Sequence, residues 1–257
     1  MLLLTKLARQ QKYYFCETKG KQKNTCAVKQ PVFKCDILRK SCKIISMKTV
    51  NPKGFWYDSV GSTMDEAKRL IQAGQVKDIA FVVANHQTCG RGTYGRQWDS
   101  PEGAGIYLSV VHVSTVGTES PRPYMELTTL YTKACGVACV EAIKEITNIE
   151  TKLKPINDIY FNGKKLGGIL VESRLEKKGF SSLITGVGIN THNVVHDLDR
   201  NIVEPVSLEQ LLSPEGFKRF SKEKLIEGIV SKICFWYEVI FNGKQDLVQE
   251  KWESYKL

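Results

Sequence analysis

The chain has 257 residues, 42% hydrophobic and 25% charged, which suits one large globular domain or one domain with a tail. Its formal net charge of +10 lies entirely in residues 1–50, which hold 12 basic and two acidic side chains, so residues 51–257 are neutral overall. This distribution argues against a folded domain that binds nucleic acid through its charge. No run of 18 apolar residues occurs, which argues against a membrane span.

The basic N-terminal segment is rich in lysine and has neither helical nor strand periodicity. That character is typical of an organelle-targeting extension, although the arginine and serine that transit peptides favour are scarce. Two alternatives stay open: a disordered basic leader, or an extension upstream of an internal start at Met47. We expect a leader at residues 1–50 and one folded domain at residues 51–257, in the cytoplasm or in an organelle such as a mitochondrion or plastid.

The eight cysteines include no CxxC pair, so their spacing argues against a structural zinc site and a disulfide framework. Cys135 and Cys139 lie four residues apart on a predicted helix, and we expect both to be packed in the core. The pattern indicates a reducing compartment.

The folded domain begins with a predicted strand over residues 55–60, which a helix follows directly. Thr63 and Glu66 have the spacing of a capping box, and Gly74 is the expected end of the helix. Ser62 and Thr63 therefore lie where a strand turns into a helix. Their hydroxyl groups either cap the helix or face a ligand at that edge of the sheet.

The next predicted elements are two strands and a long helix. Residues 79–84 and 105–113 are rich in valine, isoleucine and aromatic residues, as strands are. Residues 124–147 have helical periodicity. The residues of this helix expected in the core are Leu127, Leu130, Val137, Val140 and Ile143.

The remaining predicted elements are two hairpins and two closing helices. Asn162-Gly163 is a strong signal for a two-residue hairpin turn, and LEKKGFSSLITGVGIN adds a second hairpin. Residues 222–242 and 245–255 are the predicted helices. The expected fold is α+β, a mixed, mostly antiparallel sheet with helices packed on one side.

One loop between two of these strands, QTCGRGTYGRQW at residues 87–98, combines three glycines with two arginines. Glycine lets a ligand approach the backbone closely, and free N–H groups in such a loop bind anions. Arg91 and Arg96 add permanent charge suited to carboxylate or phosphate. The loop is neither a Walker A nor a GxGxxG motif, and on its own a hairpin connection with solvated arginines explains it equally well.

Three further segments favour a shared functional site: KPIND at 154–158, GKKLGGIL at 163–170 and GVGIN at 186–190. The first combines a cation, an amide and a carboxylate, and the second sets Lys164 and Lys165 before paired glycines. A single lysine beside glycines is usually solvated. Four such segments in one domain are harder to explain that way.

The order of these motifs resembles that of the biotin–protein ligases, from about residue 56 to residue 257. GRGTYGRQW with the preceding Gln87 is the most specific match, and KKLGGILVE and GVGIN support it. The resemblance implies the fold that biotin ligases share with class II aminoacyl-tRNA synthetases. It also implies that biotin and MgATP form biotinyl-5′-adenylate, and that biotin then passes to a lysine in the biotin-accepting domain of a carboxylase of the acetyl-CoA carboxylase class. The protein is expected to be a monomer or a homodimer.

The resemblance implies roles for particular residues. The expected catalytic residues are Lys165, Arg91 and Asp158, with the Mg²⁺ that ATP carries near Asp158. Biotin would contact Ser62, Thr63, Gln87, Arg91, Gly92, Thr93, Lys165 and Gly168. The nucleotide would contact Gly90, Arg91, Gly92, Arg96, Trp98, Lys154, Asn157, Asp158, Gly188 and Asn190. Cations such as Arg91 and Lys165 are needed because the biotin carboxylate and the ATP triphosphate are both anions and must meet for in-line attack. Water must also be kept away from the mixed anhydride that forms.

The sequence departs from the family pattern in four places. The usual K-W-P-N-D is KPIND here, and Pro155 with Ile156 predicts a different floor of the biotin pocket. Thr93 stands where a basic residue often helps to retain the adenylate, which predicts a leakier intermediate. The chain ends at Trp252–Leu257, where the family's small C-terminal SH3-like barrel usually begins, so we expect that barrel to be absent. No winged helix is expected before the domain, and therefore no specific nucleic-acid binding.

Three alternatives remain. A lipoate–protein ligase would share the fold and the chemistry, but the GRGxxGR run favours biotin. A catalytically weak adenylate-binding protein would follow from the altered KPIND segment and the missing barrel. A basic nucleic-acid binder has support only from residues 1–50, and it predicts salt-dependent DNA binding that is lost with that segment.

Overall fold

A computed structural model describes residues 26–29, 52–118, 124–155, 157–176, 179–192 and 203–257. The strands are β1 (Cys26–Lys29), β2 (Lys53–Val60), β3 (Ile79–Gln87), β4 (Gly105–Thr118), β5 (Lys152–Lys154), β6 (Asp158–Phe161), β7 (Lys164–Glu176) and β8 (Gly179–Asn190). The helices are α1 (Thr63–Gln72), α2 (Tyr124–Thr147), α3 (Leu208–Leu211), α4 (Pro214–Arg219), α5 (Lys222–Phe241) and α6 (Gln245–Tyr255).

The eight strands form one sheet in the order β1-β2-β3-β4-β8-β7-β6-β5. Strands β2 and β3 run parallel, because α1 carries the chain back between them, and the other neighbouring pairs are antiparallel. The predicted α+β fold with a mixed, mostly antiparallel sheet is confirmed. Strand β1 was not expected: it lies in the basic segment and pairs with β2 through backbone groups, which need no side-chain periodicity.

The two faces of the sheet are covered by different helices, because alternate side chains of each strand point to opposite faces. On one face, residues such as Leu108 and Val187 pack into a large apolar core with α2, α5 and α6. On the other face, Val82 and Ile184 pack against Leu70 of α1 in a smaller cluster. The prediction of helices on one side therefore describes the three long helices, while α1 packs on the opposite side.

The local predictions around the helices are largely confirmed. Helix α2 has the predicted bounds, and its five predicted core residues are buried, except Leu130, which is partly buried against the core. Cys135 and Cys139 are both fully buried, and burial raises the pKa of the Cys135 thiol. No described helix is long and apolar enough to cross a bilayer.

The start of α1 corrects one prediction. The N-cap is Ser62, whose hydroxyl accepts a hydrogen bond from the Met64 N–H at 3.3 Å, so Thr63 is the first helical residue rather than the cap. Glu66 does not close a capping box but binds Arg69 at 2.6 Å. The cap lies one residue earlier because the Thr63 side chain is used elsewhere, as described below.

The hairpin between β6 and β7 confirms the prediction from Asn162-Gly163. Both residues have positive φ, 46° and 81°, as a two-residue hairpin turn requires. The turn starts β7 at Lys164, so that its next residues, Lys165 to Gly168, run back past β6.

Candidate active site

A chain of neutral hydrogen bonds runs from α1 to the loop between β3 and β4. The side-chain carbonyl of Gln87 accepts from the N–H of Thr63 at 2.9 Å and from its hydroxyl at 3.1 Å. Ser109 donates to the Thr63 hydroxyl at 2.8 Å from the middle of β4. On its other side, Gln87 donates to the Ser100 hydroxyl at 2.8 Å, and Ser100 donates to the Trp98 carbonyl at 3.0 Å. The sequence-predicted residues Thr63 and Gln87 are thus directly bonded.

The glycine–arginine loop folds as a small hairpin. The N–H of Gly92 donates to the Arg96 carbonyl at 2.7 Å, and the N–H of Trp98 donates to the Gly90 carbonyl at 3.0 Å. Its tip is a single 3-10 turn, Thr93–Gly95, where Tyr94 has φ 58° and is 92% exposed. Arg96 folds back on this tip and donates to the Thr93 carbonyl at 3.3 Å, so it lies on the solvent side.

The base of the hairpin is closed by two close approaches. A Cβ atom at Gly90 would lie 2.3 Å from the Trp98 carbonyl oxygen and 2.6 Å from the Ser100 hydroxyl, so only glycine fits there. Beyond Ser100, the Tyr107 hydroxyl donates to the Pro101 carbonyl at 2.9 Å. Burial, with the Asp99 carboxylate, raises the pKa of Tyr107, so this hydroxyl stays a neutral donor.

The side chain of Trp98 extends from the loop onto the part of the sheet where two neighbouring strands carry glycine. Its ring lies over β7 and β8 where those strands carry Gly168 and Gly188: a Cβ atom at Gly188 would lie 2.4 Å from the ring, and one at Gly168 3.0 Å. Lys165 reaches the same ring, with Nζ 5.5 Å from the centroid. The same Nζ lies 2.8 Å from Oδ1 of Asp158, and both side chains are partly buried. Four predicted site residues therefore surround Trp98.

Arg91 contacts two carboxylates outside this cluster. Its Nη1 lies 2.8 Å from Oδ1 of Asp65 on α1, and its Nη2 lies 3.4 Å from Oε1 of Glu172 on β7. The guanidinium therefore lies between the first turn of α1 and the sheet, beside the network of Thr63 and Gln87.

The remaining predicted residues support the backbone or face solvent. Asn190 donates to the carbonyl oxygens of Lys165 at 3.4 Å and Val206 at 3.2 Å, so its amide nitrogen is occupied by main chain. Asn157 likewise donates to the Ile169 carbonyl at 3.0 Å. Lys154 is exposed and lies over the ring of Tyr160, 5.1 Å from its centroid, outside the cluster around Trp98. Of KPIND, Ile156 lies outside the described residues.

Four residues of the site were missed from the sequence. Ser109 gave a usable signal, because it is a polar residue on the face of β4 opposite Leu108. Ser100 carried no pattern, and Asp65 and Glu172 are distant in sequence and meet only through Arg91. In the part of the chain that the structure describes, no three His, Cys, Asp or Glu side chains are grouped as metal ligands.

The arrangement combines two chemical environments. Neutral amide and hydroxyl groups suit an uncharged polar group, and the nearby cations Arg91 and Lys165 suit a carboxylate or phosphate. Between them lie Gly168 and Gly188, with the ring of Trp98 over both. The site therefore fits a substrate with a neutral polar end and an anionic end.

Comparisons with known proteins identify the family of this chain. A sequence model of the biotin/lipoate A/B protein ligase family matches residues 56–190. The bifunctional ligase/repressor BirA of Bacillus subtilis is 30% identical over 205 residues, 79% of this chain and 59% of that protein. The biotin–[acetyl-CoA-carboxylase] ligase of Mycobacterium tuberculosis is 32% identical over 180 residues, 68% of this chain and 62% of that protein.

Solved structures of biotin protein ligases have a similar fold. The biotin protein ligase from Aquifex aeolicus in complex with biotin and ATP superposes with a TM-score of 0.63 at 27% identity, covering 79% of this chain and 78% of that one. The chain thus spans about three fifths of the length of the two sequence relatives.

Proposed function

The chain belongs to the biotin/lipoate A/B protein ligase family, and from that premise we propose that it is a biotin–protein ligase. It activates biotin with MgATP to biotinyl-5′-adenylate and transfers the biotinyl group to a lysine of a biotin-accepting domain, with formation of a C–N bond. The names of the relatives from M. tuberculosis and A. aeolicus support biotin as the acid and a carboxylase of the acetyl-CoA carboxylase class as the acceptor.

The observation that carries this proposal is the contact between the neutral network and the cationic cluster at Trp98. Trp98 accepts a hydrogen bond from Ser100 through its carbonyl, and its ring lies beneath Lys165. A biotin molecule has the matching polarity, with an uncharged ureido group at one end and a carboxylate at the other. The ureido group would bind near Thr63 and Gln87, and the carboxylate would point toward Lys165 and Arg91.

In the first step, a biotin carboxylate oxygen attacks the α-phosphorus of ATP. A new C–O–P linkage forms, the bond to the β-phosphate oxygen breaks, and pyrophosphate leaves with the electron pair. Lys165 stabilises the negative charge that develops on the α-phosphate, and Asp158 holds its Nζ in position at 2.8 Å before substrates bind. This preorganisation is what makes one lysine effective.

In the second step, the acceptor lysine attacks the biotinyl carbonyl as a neutral amine, and AMP leaves. The attacking nitrogen must lose a proton, and Asp158 is the carboxylate that lies beside Lys165 in the cluster. We propose Asp158 as the group that accepts this proton. The Trp98 ring keeps water from the adenylate on the side of the sheet.

Mg²⁺ enters in this proposal with the phosphates of ATP. Magnesium usually keeps several waters and binds through one or two carboxylates together with substrate phosphates. The described residues offer Asp158 near the proposed phosphate position and no cluster of three ligands, so the donor set fits a metal that ATP supplies. When bound, the metal neutralises phosphate charge.

The proposal is tested by biotin-dependent exchange of labelled pyrophosphate into ATP, with lipoate as the control acid. Exchange with biotin alone is the expected result. Exchange with lipoate would replace the proposal by a lipoate ligase, and exchange with neither acid would favour an adenylate-binding protein with the altered KPIND segment as its cause.

Compartment and oligomeric state stay predictions. A reporter fused to residues 1–50 tests targeting, and a diffuse cytosolic signal would count against it. Strand β1 lies inside this range, so a matched fusion of residues 1–25 tests whether any signal precedes the strand.

A further inference from the structure

Arg91 is held by charged residues that neither the motifs nor the proposed chemistry requires. Asp65 comes from the first turn of α1 and Glu172 from β7, and both carboxylates reach the guanidinium. Lys68, one turn after Asp65, binds Oε2 of Glu172 at 2.7 Å. Arg91 is thus fixed to two different elements of the rigid scaffold, although it belongs to a glycine-rich loop.

The bonds leave one edge of the guanidinium without a hydrogen-bond partner. Nη1 binds Asp65 at 2.8 Å, whereas Nε and Nη2 are buried atoms with no hydrogen bond. Oε1 of Glu172 lies 3.4 Å from Nη2 without a hydrogen bond, while Oε2 of the same carboxylate binds Lys68. Nε–H and Nη2–H point in nearly the same direction, and this pair of donors is the edge that binds both oxygens of a carboxylate or phosphate.

We propose that Asp65 is a positioning residue of the reaction, which acts through Arg91 and is assisted by Glu172. Asp65 takes up the Nη1 end of the guanidinium. Nε and Nη2, which carry no hydrogen bond but are covered by protein in the ligand-free chain, are thus left as the donors for the anionic oxygens of the biotin carboxylate or the adenylate phosphate. The inference rests on the proposed function for the identity of this anion. The anchoring of the loop by Asp65 is independent of it.

The pair is too exposed to matter much for stability. The Asp65 side chain is 54% exposed, and exposed ion pairs contribute little to folding. Removing its charge should therefore leave the folded protein intact. The effect should appear where orientation matters, in the order of the loop and in the binding of the anion.

The first measurement is hydrogen exchange in the ligand-free full chain. In Asp65→Asn, the Gly92 and Trp98 amides of the loop hairpin should exchange about fivefold faster than in the wild type, the scale of one exposed ion pair. Asp246→Asn is the matched control, because Asp246 also lies in the first turn of a helix, α6. Equal protection in Asp65→Asn and the control would overturn the anchoring role.

The second measurement separates positioning from a structural role. In pyrophosphate exchange, Asp65→Asn should raise KM for biotin about fivefold and change kcat less than twofold, since binding strength rather than the transition state alone is weakened. A loss of folded protein would instead lower the apparent kcat and leave KM unchanged, and that result would contradict the proposal.

A double-mutant cycle with Arg91→Lys decides whether Asp65 acts through Arg91. Lysine keeps the charge but lacks the two-donor edge, so Asp65→Asn should have no further effect on KM in that background. If the double variant raised KM by the product of the two single-variant factors, Asp65 would act independently of Arg91. If the wild type shows no biotin-dependent exchange while the loop amides lose protection in Asp65→Asn, the biotin assignment fails and the anchoring of Arg91 stands.

Discussion

The two faces of the central sheet are made from the same strands but are closed in different ways. One face carries a continuous apolar layer under α2, α5 and α6, in which Leu108, Ile169 and Val187 are almost fully buried. On the other face, α1 packs against Val82 and Ile184 in a smaller cluster. The same face carries Gly168 and Gly188, and the Trp98 ring lies over both.

This difference separates stability from chemistry within each strand. Leu108 and Ser109 are neighbours in β4, yet one fills the core and the other bonds Thr63 in the candidate site. Because strand side chains alternate, the apolar face holds the strands rigid while the other face is free to carry polar groups. Changes on the site face should thus affect activity more than stability, and changes on the apolar face the reverse.

The strongest test of this separation is the pair of adjacent lysines in β7. Lys165→Ala should lower pyrophosphate exchange about 100-fold, the scale of losing one preorganised charge contact, with an unchanged Tm. Lys165 lies on the site face beside Asp158 and Trp98. The measurement is the exchange rate at saturating biotin and ATP.

Lys164→Ala is the matched control. Lys164 is exposed and pairs with Glu204, so its removal should change the exchange rate less than threefold. Equal losses in the two variants would mean that charge in the turn, rather than the position of Lys165, supports the reaction.

A smaller effect is expected from adding one methyl group to the sheet beneath the Trp98 ring. In Gly188→Ala the new Cβ atom would lie 2.4 Å from the Trp98 ring, so the ring must leave its position. We expect about tenfold slower exchange, the scale of disturbed substrate orientation, and a shifted tryptophan emission.

Gly186→Ala is the control on the same strand and the same face. Its Cβ atom would lie 2.9 Å from the sulfur of Met64, which belongs to a flexible, unbranched side chain that can shift. Exchange within twofold of wild type is expected. If Gly186→Ala slows exchange as much as Gly188→Ala does, this face of the sheet tolerates no added atom. The slower exchange of Gly188→Ala could then not be attributed to displacement of Trp98.

The parts of the fold that were predictable from sequence are those with local signals. Periodicity gave α2 its bounds and core residues, and Asn162-Gly163 gave the hairpin, because both signals are local. Strand β1 was missed because four residues paired at a sheet edge carry no periodicity. The position of α1 on the opposite face was missed because the packing side of a helix depends on the handedness of its connection, not on its own pattern.

In the site, the motifs identified residues but not their partners. Lys165 and Asp158 were each expected to be catalytic, and the structure shows in addition that the two side chains are in contact. The bonds of Thr63 to Gln87, and of Arg91 to Asp65, join segments that only the folded sheet brings together. Sequence spacing carries no information on such contacts, which is why Asp65, Glu172, Ser100 and Ser109 were not predicted.

The smallest effect is expected from His112, a titratable group on the apolar face. Its ring lies 5.1 Å from the ring of Phe241 at the end of α5, at a tilt of 32°. Burial lowers the pKa of His112, and the Asp78 carboxylate offsets this only in part. Above about pH 6.5, the usual histidine pKa, the side chain is neutral in both the folded and the unfolded chain. As the pH falls below that value, the unfolded chain takes up a proton that the folded chain does not, so the free energy of unfolding decreases until the folded pKa is reached.

His112→Gln, which cannot titrate, should therefore lose less stability than the wild type between pH 7.5 and pH 5.5, roughly the window below the usual histidine pKa. Urea unfolding at both pH values measures the difference, and the comparison at the higher pH corrects for altered packing. Pyrophosphate exchange per folded molecule should be the same in both proteins at either pH, because the ring lies on the face opposite Trp98. A variant with the wild-type pH dependence of stability would mean that His112 is protonated in place, and that the apolar face tolerates a charge beside Asp78.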